Sequence, residues 1–170
     1  MQRILGTTNR GSAITSNRTS ARITICKARR SDAQAFLALI DALADFEKLK
    51  RPSRAARARL VRDGFGKRKR FDPMLACVNG MPVGYAIIFE TYSSFLARPT
   101  LFLEDLFVLQ EFRGKKIGLK LFRACVAEAN RRACGRMEWI VLDWNTHAIQ
   151  FYKRHGAQYM KEWHMYRLTL

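Results

Sequence analysis

The chain has 170 residues, of which 48% are hydrophobic, and it carries a formal net charge of +17. That length suits one domain, which buries roughly 70% of the surface its unfolded chain exposes, and two full domains would be cramped. No apolar run approaches the ~20 residues of a membrane-spanning helix, so the composition favours a soluble protein without a membrane partner.

The chain begins with a basic stretch. Residues 1–31 contain six Arg and one Lys, and no acid precedes Asp32. An Arg-, Ser- and Thr-rich composition is shared by organelle transit peptides and by disordered extensions. We predict a flexible extension over residues 1–21 and one domain over residues 22–170, with organelle targeting as the alternative.

A strand and a helix are predicted next. Residues 22–28 alternate Ile23 and Ile25 with polar neighbours, which predicts the first strand. Ser31 is placed to cap a helix that runs to about Lys48, and the helical spacing of its apolar side chains predicts one inward face.

A second basic block covers residues 48–70, where eleven Lys or Arg stand against Asp63 alone. Within it, Pro52 and Ser53 predict the start of a short helix that ends near Gly64. Such a block usually forms a solvated surface, and next most often it attracts phosphates or nucleic acid. The two basic blocks contribute +7 and +10, so the rest of the chain sums to zero.

Three strands are predicted in the middle of the chain. Residues 73–78 and 83–95 flank Asn79 and Gly80, a pair that accepts the positive backbone angles of a hairpin turn. Residues 100–109 are strongly apolar, which predicts a central strand.

Helices and strands alternate in the last third. The pattern predicts a helix over residues 117–132, a strand over 137–143, a helix over 147–155 and a final strand near 163–168. This order indicates a mixed α/β (α+β) fold without internal repeats.

The cysteines predict neither a disulfide framework nor a metal site. Cys26, Cys77, Cys125 and Cys134 include no close C-x-x-C pair and no metal-ligand spacing with the three His. We expect buried thiols, no metal and a reducing, cytoplasmic location.

A candidate anion site lies in the segment LEDLFVLQEFRGKKIG, which begins at Leu103. Here a buried strand gives way to a turn that opens a helix, and the unpaired amides and positive dipole of a helix start suit a pyrophosphate. Gly114 and Gly118 let the backbone come close to a ligand. Positive charge is added by Arg113, Lys115 and Lys116. Taken alone, such a junction is weak evidence, because many of them bind nothing.

A second segment, WNTHAIQFYKRHGA, begins at Trp144. Asn145 is placed to cap the helix, and Tyr152 lies two turns further along the same side. Taken singly, an N-cap and a core tyrosine explain these two residues best.

Together, the two segments resemble the GNAT acetyltransferases, and more narrowly their diamine (spermidine/spermine) and thialysine branch. That branch carries an LEDFFV strand, an RGxGxG turn and a WN…FYKRxGA helix. The likeness extends to LADFE at residues 43–47 and DGFG at 63–66, so it spans about residues 22–168. It implies the GNAT fold, a central mixed, mostly antiparallel sheet with splayed strands flanked by about four helices. It also implies acetyl-CoA as co-substrate, without a metal, and commonly a homodimer.

The resemblance also assigns a cofactor site. The pantetheine arm would pair with backbone groups of Leu106, Phe107 and Val108. The pyrophosphate would be held by Arg113, Gly114, Lys115, Lys116, Ile117 and Gly118. The second segment would contribute Asn145, Tyr152 and Lys153. Lys116 stands where the family's turn normally has Gly, so a positive backbone angle there would strain the lysine.

Acetylation of an amine needs a base, because an alkyl ammonium with a pKa of ~10.4 loses its proton at pH 7 only at a cost of roughly 4 to 5 kcal/mol. Glu104 and Asp105 are adjacent acids on an otherwise apolar strand. Neighbours on a regular strand face opposite ways, so both reach one pocket only through a bulge. By resemblance, Glu104 is the base and Asp105 the amine anchor, with Glu47 as a further cation contact; a surface pair at the strand end is the alternative.

The departing CoA thiolate, with a pKa of ~8.5, benefits from a proton donor, and Tyr152 fits that role in type and position. No Cys is placed to form a covalent intermediate. We therefore expect direct attack by the amine in a ternary complex.

The acceptor is predicted to be a primary amine of a small molecule, namely a short diamine, a polyamine or a thialysine-like amino acid. Polyamine enzymes of this branch are acidic between the first two helices, whereas this chain is basic there over residues 48–62. Long-range repulsion should slow the capture of spermine, which favours thialysine-like amino acids or short diamines. The alternatives are acetylation of protein lysines or N-termini and a nucleic-acid-associated protein; the latter would lack the interleaved aromatics of a base-stacking surface.

Overall fold

The computed structural model describes residues 21–170, so the predicted extension lies outside the described residues except for Ala21. The strands are β1 (Ile23–Lys27), β2 (Asp72–Val78), β3 (Met81–Ser93), β4 (Arg98–Val108) and β5 (Arg136–Trp139). The helices are α1 (Ala33–Phe46), α2 (Arg54–Phe65), α3 (Ile117–Arg131) and α4 (Thr146–Arg154).

The five strands form one sheet in the order β1-β2-β3-β4-β5. The first three pairings are antiparallel and the last, between β4 and β5, is parallel. Asn79 and Gly80 connect β2 to β3 with φ angles of 50° and 85°, as the hairpin prediction required. The mixed, mostly antiparallel sheet with four helices is therefore confirmed.

The core lies on both faces of the sheet because alternate side chains of each strand point opposite ways. Met74 of β2 joins the cluster that includes Leu121 of α3, whereas its neighbour Leu75 joins the cluster around Phe36 of α1. The apolar stripes predicted for α1 and α3 thus cover opposite faces.

A bulge interrupts β4. Ile87 of β3 pairs with Asp105 and Ile88 pairs with Leu103, so Glu104 is an extra residue in the ladder. The parallel pairing of β4 with β5 ends at Leu103 and Trp139. Because a bulge bends its strand, β4 and β5 part beyond this point and leave a cleft between them.

Two predicted strands need correction. β5 ends at Trp139 rather than Asp143, because β4 no longer offers it a ladder partner after Leu103. The strand near residues 163–168 does not form, and residues 158–170 contain no helix or strand. An apolar segment becomes a strand only where a neighbouring backbone accepts its hydrogen bonds, and no such neighbour is paired with this segment in the described chain.

The predicted cap of α1 is also wrong. A 3-10 turn over Arg30–Asp32 precedes the helix, and the N-cap is Asp32 rather than Ser31. Oδ2 of Asp32 accepts a hydrogen bond of 2.7 Å from the backbone N–H of Arg29, which fixes the turn one residue further along than the sequence indicated.

The cysteines are all free, but not all are buried. Cys77 and Cys125 are buried and Cys134 is half-buried, whereas Cys26 is exposed because it lies on the edge strand β1. Within residues 21–170, no group of three or more His, Cys, Asp or Glu side chains could hold a metal ion. None of the helices in that part of the chain is long and apolar enough to cross a membrane.

The second basic block is partly neutralised by its own fold. Ser53 caps α2 as predicted, accepting a hydrogen bond of 3.2 Å from the N–H of Ala56. Ion pairs join Arg51 to Asp45, Arg57 to Asp41, Arg62 to Asp63 and Lys69 to Asp72. Much of the block is therefore a solvated surface with local partners.

Candidate active site

A cleft of about 530 Å³ opens where β4 and β5 part. Its walls come from the end of α1, residues 103–108 of β4, the turn and first residues of α3, the last residue of β5 with residues 140–142 that follow it, and one face of α4. The volume falls within the ~300 to 1,000 Å³ of typical small-molecule sites.

The cleft brings together most of the predicted site residues. Those that line it are Glu47, Glu104, Asp105, Leu106, Phe107, Val108, Arg113, Gly114, Lys116, Ile117, Gly118, Asn145 and Tyr152. Two predicted residues do not line it. Nζ of Lys115 donates to the carbonyl of Glu111 at 3.2 Å and lies over the ring of Phe112, and Lys153 is exposed on α4.

The turn before α3 forms one wall of the cleft. Gly114 and Lys116 have φ angles of 77° and 60°, so the lysine adopts the left-handed conformation that favours glycine. This tight turn aims the start of α3, at Ile117, into the cleft, and the first turn of α3 contains no acid. The free amides and positive dipole of a long helix therefore face the cavity, which is an arrangement suited to an anion.

Arg113 ties this turn to two other elements. Its Nε donates a hydrogen bond of 2.9 Å to the carbonyl of Val108, and its guanidinium lies 4.5 Å from the ring centre of Phe46 and 5.5 Å from that of Phe107. Burial lowers the pKa of Arg113. Its side chain thus holds the end of β4 against α1.

Three carboxylates gather in the same cleft. Glu47 is the C-cap residue that follows α1, while Glu104 and Asp105 come from the bulge of β4. Burial raises the pKa of Glu47. Burial also raises the pKa of Asp105 to about 6, with smaller contributions from the charges of Glu104 and Glu47. Carboxylates that raise one another's pKa values form a favourable site for a cation.

Tyr85 supports this group from β3, and the sequence analysis did not identify its role. Its ring is wholly buried, and its hydroxyl donates a hydrogen bond of 3.0 Å to Oδ2 of Asp105. Burial raises the pKa of Tyr85, so the hydroxyl keeps its proton and remains a donor. The role of Tyr85 could be recognised only once the pairing register of β3 and β4 was known, because the bulge sets which residues of the two strands lie close together.

Tyr152 lines the cleft from α4. Asn145 caps this helix as predicted, accepting a hydrogen bond of 3.1 Å from the N–H of Ala148. The ring of Tyr152 lies 4.8 Å from that of Trp139 and 5.7 Å from that of Phe122. Burial raises the pKa of Tyr152, so its hydroxyl is protonated at neutral pH.

Further cleft residues on α4 escaped the sequence analysis. His147, Arg154 and His155 also line the cavity. His147, Phe151 and His155 are spaced four residues apart, so the helical period alone would have placed both histidines on the cleft face.

Comparisons with known proteins agree with this geometry. Residues 36–157 match the acetyltransferase (GNAT) family. A thialysine N-epsilon-acetyltransferase from Bos taurus is 33% identical over 156 residues, which cover 85% of this chain and 91% of that protein. An L-ornithine N5-acetyltransferase from Arabidopsis thaliana is 44% identical over 86 residues, or 51% of this chain and 38% of that protein.

A solved structure shows the same fold. An aminoglycoside N-acetyltransferase in complex with CoA superimposes with a TM-score of 0.74 at 18% identity, over 90% of this chain and 99% of that one. The family match covers well over half of the chain, and the bovine relative is similar over most of its own length. The chain therefore belongs to the GNAT acetyltransferase family, and it is an N-acetyltransferase.

Proposed function

We propose that this enzyme transfers the acetyl group of acetyl-CoA to a primary amine of a small amino acid or short diamine, by direct attack in a ternary complex. The observation that carries the proposal is the meeting of Glu47, Glu104 and Asp105 in the same cleft as an anion-binding helix start. One set of groups suits an ammonium, and the other suits a pyrophosphate.

The residues of the cleft fit acetyl-CoA. β4 has no β5 partner after Leu103, so backbone groups of Leu106 are available to the pantetheine arm, whereas Phe107 pairs with Tyr85 of β3 and lines the cleft. The pyrophosphate would be held by Gly114, Lys116, Ile117 and Gly118, and Asn145 would contact the cofactor from α4. When bound, the thioester supplies the activated acetyl group.

Val108 and Arg113 have a supporting place in this scheme. The carbonyl of Val108 already accepts a hydrogen bond from Nε of Arg113, whose guanidinium is stacked on aromatic rings. We assign to Arg113 the positioning of the strand end and of the turn that follows it. Lys115 and Lys153 stay as predicted cofactor contacts that lie outside the cleft lining.

We assign removal of the amine proton to Glu104. As the extra residue of the bulge it is exposed, yet it lines the cleft beside Asp105, so it can pass the proton to water. Asp105 is more buried, and one of its oxygens is held by Tyr85. A buried carboxylate that is held in place is suited to anchoring the ammonium. The positive charge of the ammonium offsets the cost of burying the negative charge of the carboxylate.

Tyr152 is assigned as the proton donor to the departing thiolate. Its raised pKa keeps it protonated at neutral pH, and it faces the cleft from a capped helix. A donor of this kind contributes about 10² to 10⁴ in rate.

The preferred acceptor is an amino acid with a side-chain amine. The relatives named for thialysine and ornithine support this choice, as both names describe such amino acids. The net charge of +17 supports it as well, because it repels spermine more than a zwitterion.

An amine panel scored by CoA release tests the proposal. Thialysine, ornithine, a short diamine, spermine and a lysine peptide are compared at equal concentration. We expect the amino acids and the short diamine to react faster than spermine, by a margin that widens at low salt. Equal or faster turnover of spermine would overturn the substrate order. Transfer to the peptide alone would favour protein acetylation, and salt-sensitive DNA binding without any CoA release would favour the nucleic-acid alternative.

The cytoplasmic location predicted from the sequence stays a prediction, and cell fractionation with an antibody against the protein tests it. The homodimer implied by the resemblance also stays a prediction.

A further inference from the structure

Most cations of the second basic block, residues 48–70, have no acidic partner. Four of its eleven Lys and Arg side chains form ion pairs, whereas seven form none within residues 21–170. The seven are all exposed, and they are Lys48, Lys50, Arg54, Arg59, Lys67, Arg68 and Arg70. Because the chain outside the two basic blocks sums to zero, this block is the largest source of positive charge in the protein.

The end of the block is a loop over residues 66–70 that closes back on α2. The N–H of Gly66 donates a hydrogen bond of 2.9 Å to the carbonyl of Arg62, and the N–H of Arg70 donates one of 2.8 Å to the carbonyl of Asp63. A Cβ at position 66 would clash with the carbonyl oxygen of Arg62, so this close return depends on glycine. These contacts fix the backbone from which the basic side chains of the loop project.

A cavity of about 280 Å³ lies between this loop and the end of α2. It is lined by Gly66, by one carboxylate, Asp63, and by four cations, Arg62, Lys67, Arg68 and Arg70. Asp63 is already held by Arg62 through hydrogen bonds of 2.8 and 3.1 Å. The pKa of Asp63 is lowered by this pairing and then by the nearby charges of Arg70 and Arg59. The cavity therefore carries a net charge of +3, which suits a multiply charged anion.

We propose that α2 and the 66–70 loop bind the phosphate backbone of a nucleic acid, with one phosphate group seated in the loop cavity. Arginine fits this ligand because its planar fork donates two parallel hydrogen bonds to phosphate oxygens. Binding here is independent of the proposed function, because the loop cavity and the cleft share no lining residue.

Helix α2 extends the positive surface beyond the loop cavity. It has 12 residues, so it is about 18 Å long. Arg59 and Arg62 lie on its exposed side, where their neighbours Ala55 and Ala58 leave them accessible. A nucleic-acid duplex carries one phosphate charge per ~1.7 Å of its axis, so it offers about ten charges over that length. A contact with about four of these phosphates is within reach of the exposed cations.

The composition of this surface favours a nucleic acid over a lipid membrane. A helix that lies on a membrane turns a large apolar face outward. The large apolar side chains of α2, namely Leu60, Val61 and Phe65, are half-buried, and the ring of Phe65 packs 5.5 Å from that of Phe36. Residues 48–70 expose no aromatic side chain on which a base could stack. We therefore expect phosphate contacts with little sequence preference.

Fluorescence anisotropy with a labelled DNA duplex of about 20 base pairs tests the binding on the full-length chain. We expect a Kd of ~10⁻⁶ to 10⁻⁴ M near physiological salt. With about four phosphate contacts, the affinity should fall roughly 100-fold between 50 and 200 mM salt. A duplex of unrelated sequence should bind within about threefold of the first. No binding at 50 mM salt, or a Kd that does not change with salt, would overturn the proposal.

Removing two cations of the loop tests where the duplex binds. Arg68→Gln combined with Arg70→Gln should weaken binding by at least about tenfold and lower the salt slope by about two, because each lost phosphate contact lowers it by about one. Lys120→Gln combined with Arg123→Gln is the matched control, since it removes the same charge from exposed positions of α3. The control should change the Kd by less than about threefold. Equal effects of the two double variants would show that net charge alone attracts the duplex, which contradicts the proposal.

Competition distinguishes this surface from the cleft and from a membrane site. Saturating CoA should release no more duplex than inorganic pyrophosphate of equal charge does, because the cleft and the loop cavity share no lining residue. Release by CoA alone would place the duplex in the cleft and overturn the proposal. Tighter binding to phosphatidylserine vesicles than to the duplex, at equal accessible charge, would make a membrane the partner and also overturn it. If the duplex binds as expected but no amine is acetylated, the nucleic-acid surface stands and the proposed function fails.

Discussion

Tyr85 on β3 donates a hydrogen bond of 3.0 Å to Oδ2 of Asp105 on β4, from a ring that is wholly buried. The contact depends on the bulge at Glu104, which sets the register of Asp105 against β3. Burial raises the pKa of Asp105 to about 6, while the hydrogen bond from Tyr85 opposes the rise. Asp105 therefore carries its charge at neutral pH at a cost in stability.

Replacing Asp105 by Asn should stabilise the fold at neutral and higher pH. The carboxyl titrates near 3.8 when unfolded and near 6 when folded, so the folded state holds the proton more tightly. The contribution of Asp105 to the free energy of unfolding therefore falls as pH rises from about 4 to about 6. Above that pH the free energy of unfolding stays lower by ~2 to 3 kcal/mol. Urea unfolding should show Asp105→Asn to be more stable than wild type at pH 8, with a gap that shrinks toward pH 4.

The exposed Asp143 provides the control for that comparison. Asp143→Asn should leave the unfolding free energy within about 0.5 kcal/mol of wild type at each pH. An Asp105→Asn protein that is less stable than wild type at pH 8 would show that the charge of Asp105 supports the fold.

Removing the hydroxyl of Tyr152 should slow turnover without releasing the cofactor. Tyr152→Phe keeps the ring that packs on Trp139 and Phe122, so the cleft wall should persist. We expect kcat to fall by about 10² to 10⁴ while the Kd for CoA, from calorimetry, changes by less than about threefold. Tyr92→Phe, on an exposed ring of β3, should leave both values unchanged. An unaltered kcat in Tyr152→Phe would remove the residue from the proton pathway.

Glycine should be better tolerated than lysine at position 116. Lys116 has a φ of 60°, where a side chain costs about 1 kcal/mol relative to glycine. Lys116→Gly should therefore raise the Tm by roughly 2 °C, as measured by calorimetry. The neighbouring Lys115 has no positive φ, so Lys115→Gly should leave the Tm equal or lower. A Tm that falls in Lys116→Gly would mean that the lysine side chain contributes more than its backbone strain removes.

The buried carboxylate Glu128 should be a major source of acid sensitivity. It accepts hydrogen bonds from Arg131, Arg132 and Lys27, and those cations hold its pKa well below the usual range. Its folded pKa is depressed, so its contribution is present above pH ~4.5 and is lost as pH falls. Glu128→Gln should lower the unfolding free energy by about 3 kcal/mol at pH 7.

Glu138 offers a matched comparison because it and its ion-pair partner Arg136 are each nearly half exposed, far more than Glu128. Glu138→Gln should cost less than about 1 kcal/mol, since water and salt screen such a pair. Denaturant unfolding at pH 7 measures both variants. If Glu128→Gln and Glu138→Gln lower the free energy of unfolding equally, burial does not strengthen the ion pairs of Glu128.

Local chemistry made much of the fold and of the candidate site predictable. Asn79 and Gly80 predict their turn, Ser53 and Asn145 predict their helix caps, and the glycine-containing turn before α3 predicts an anion site. Each of these features depends on the dihedral angles or hydrogen bonds of a few consecutive residues. The sequence also showed that Glu104 and Asp105 can both reach the cleft only if a bulge interrupts the strand.

The sequence by itself determined the order of the elements, the family and the types of side chain available for the chemistry, because periodicity and short motifs are properties of neighbouring residues. Only the tertiary structure decided where β5 ends, that Tyr85 holds Asp105, that Lys115 turns away from the cleft, and that residues 163–168 form no strand in their own chain. The physical reason is that a strand, a bulge or a buried hydrogen bond needs a partner distant in sequence, so its formation depends on register and packing.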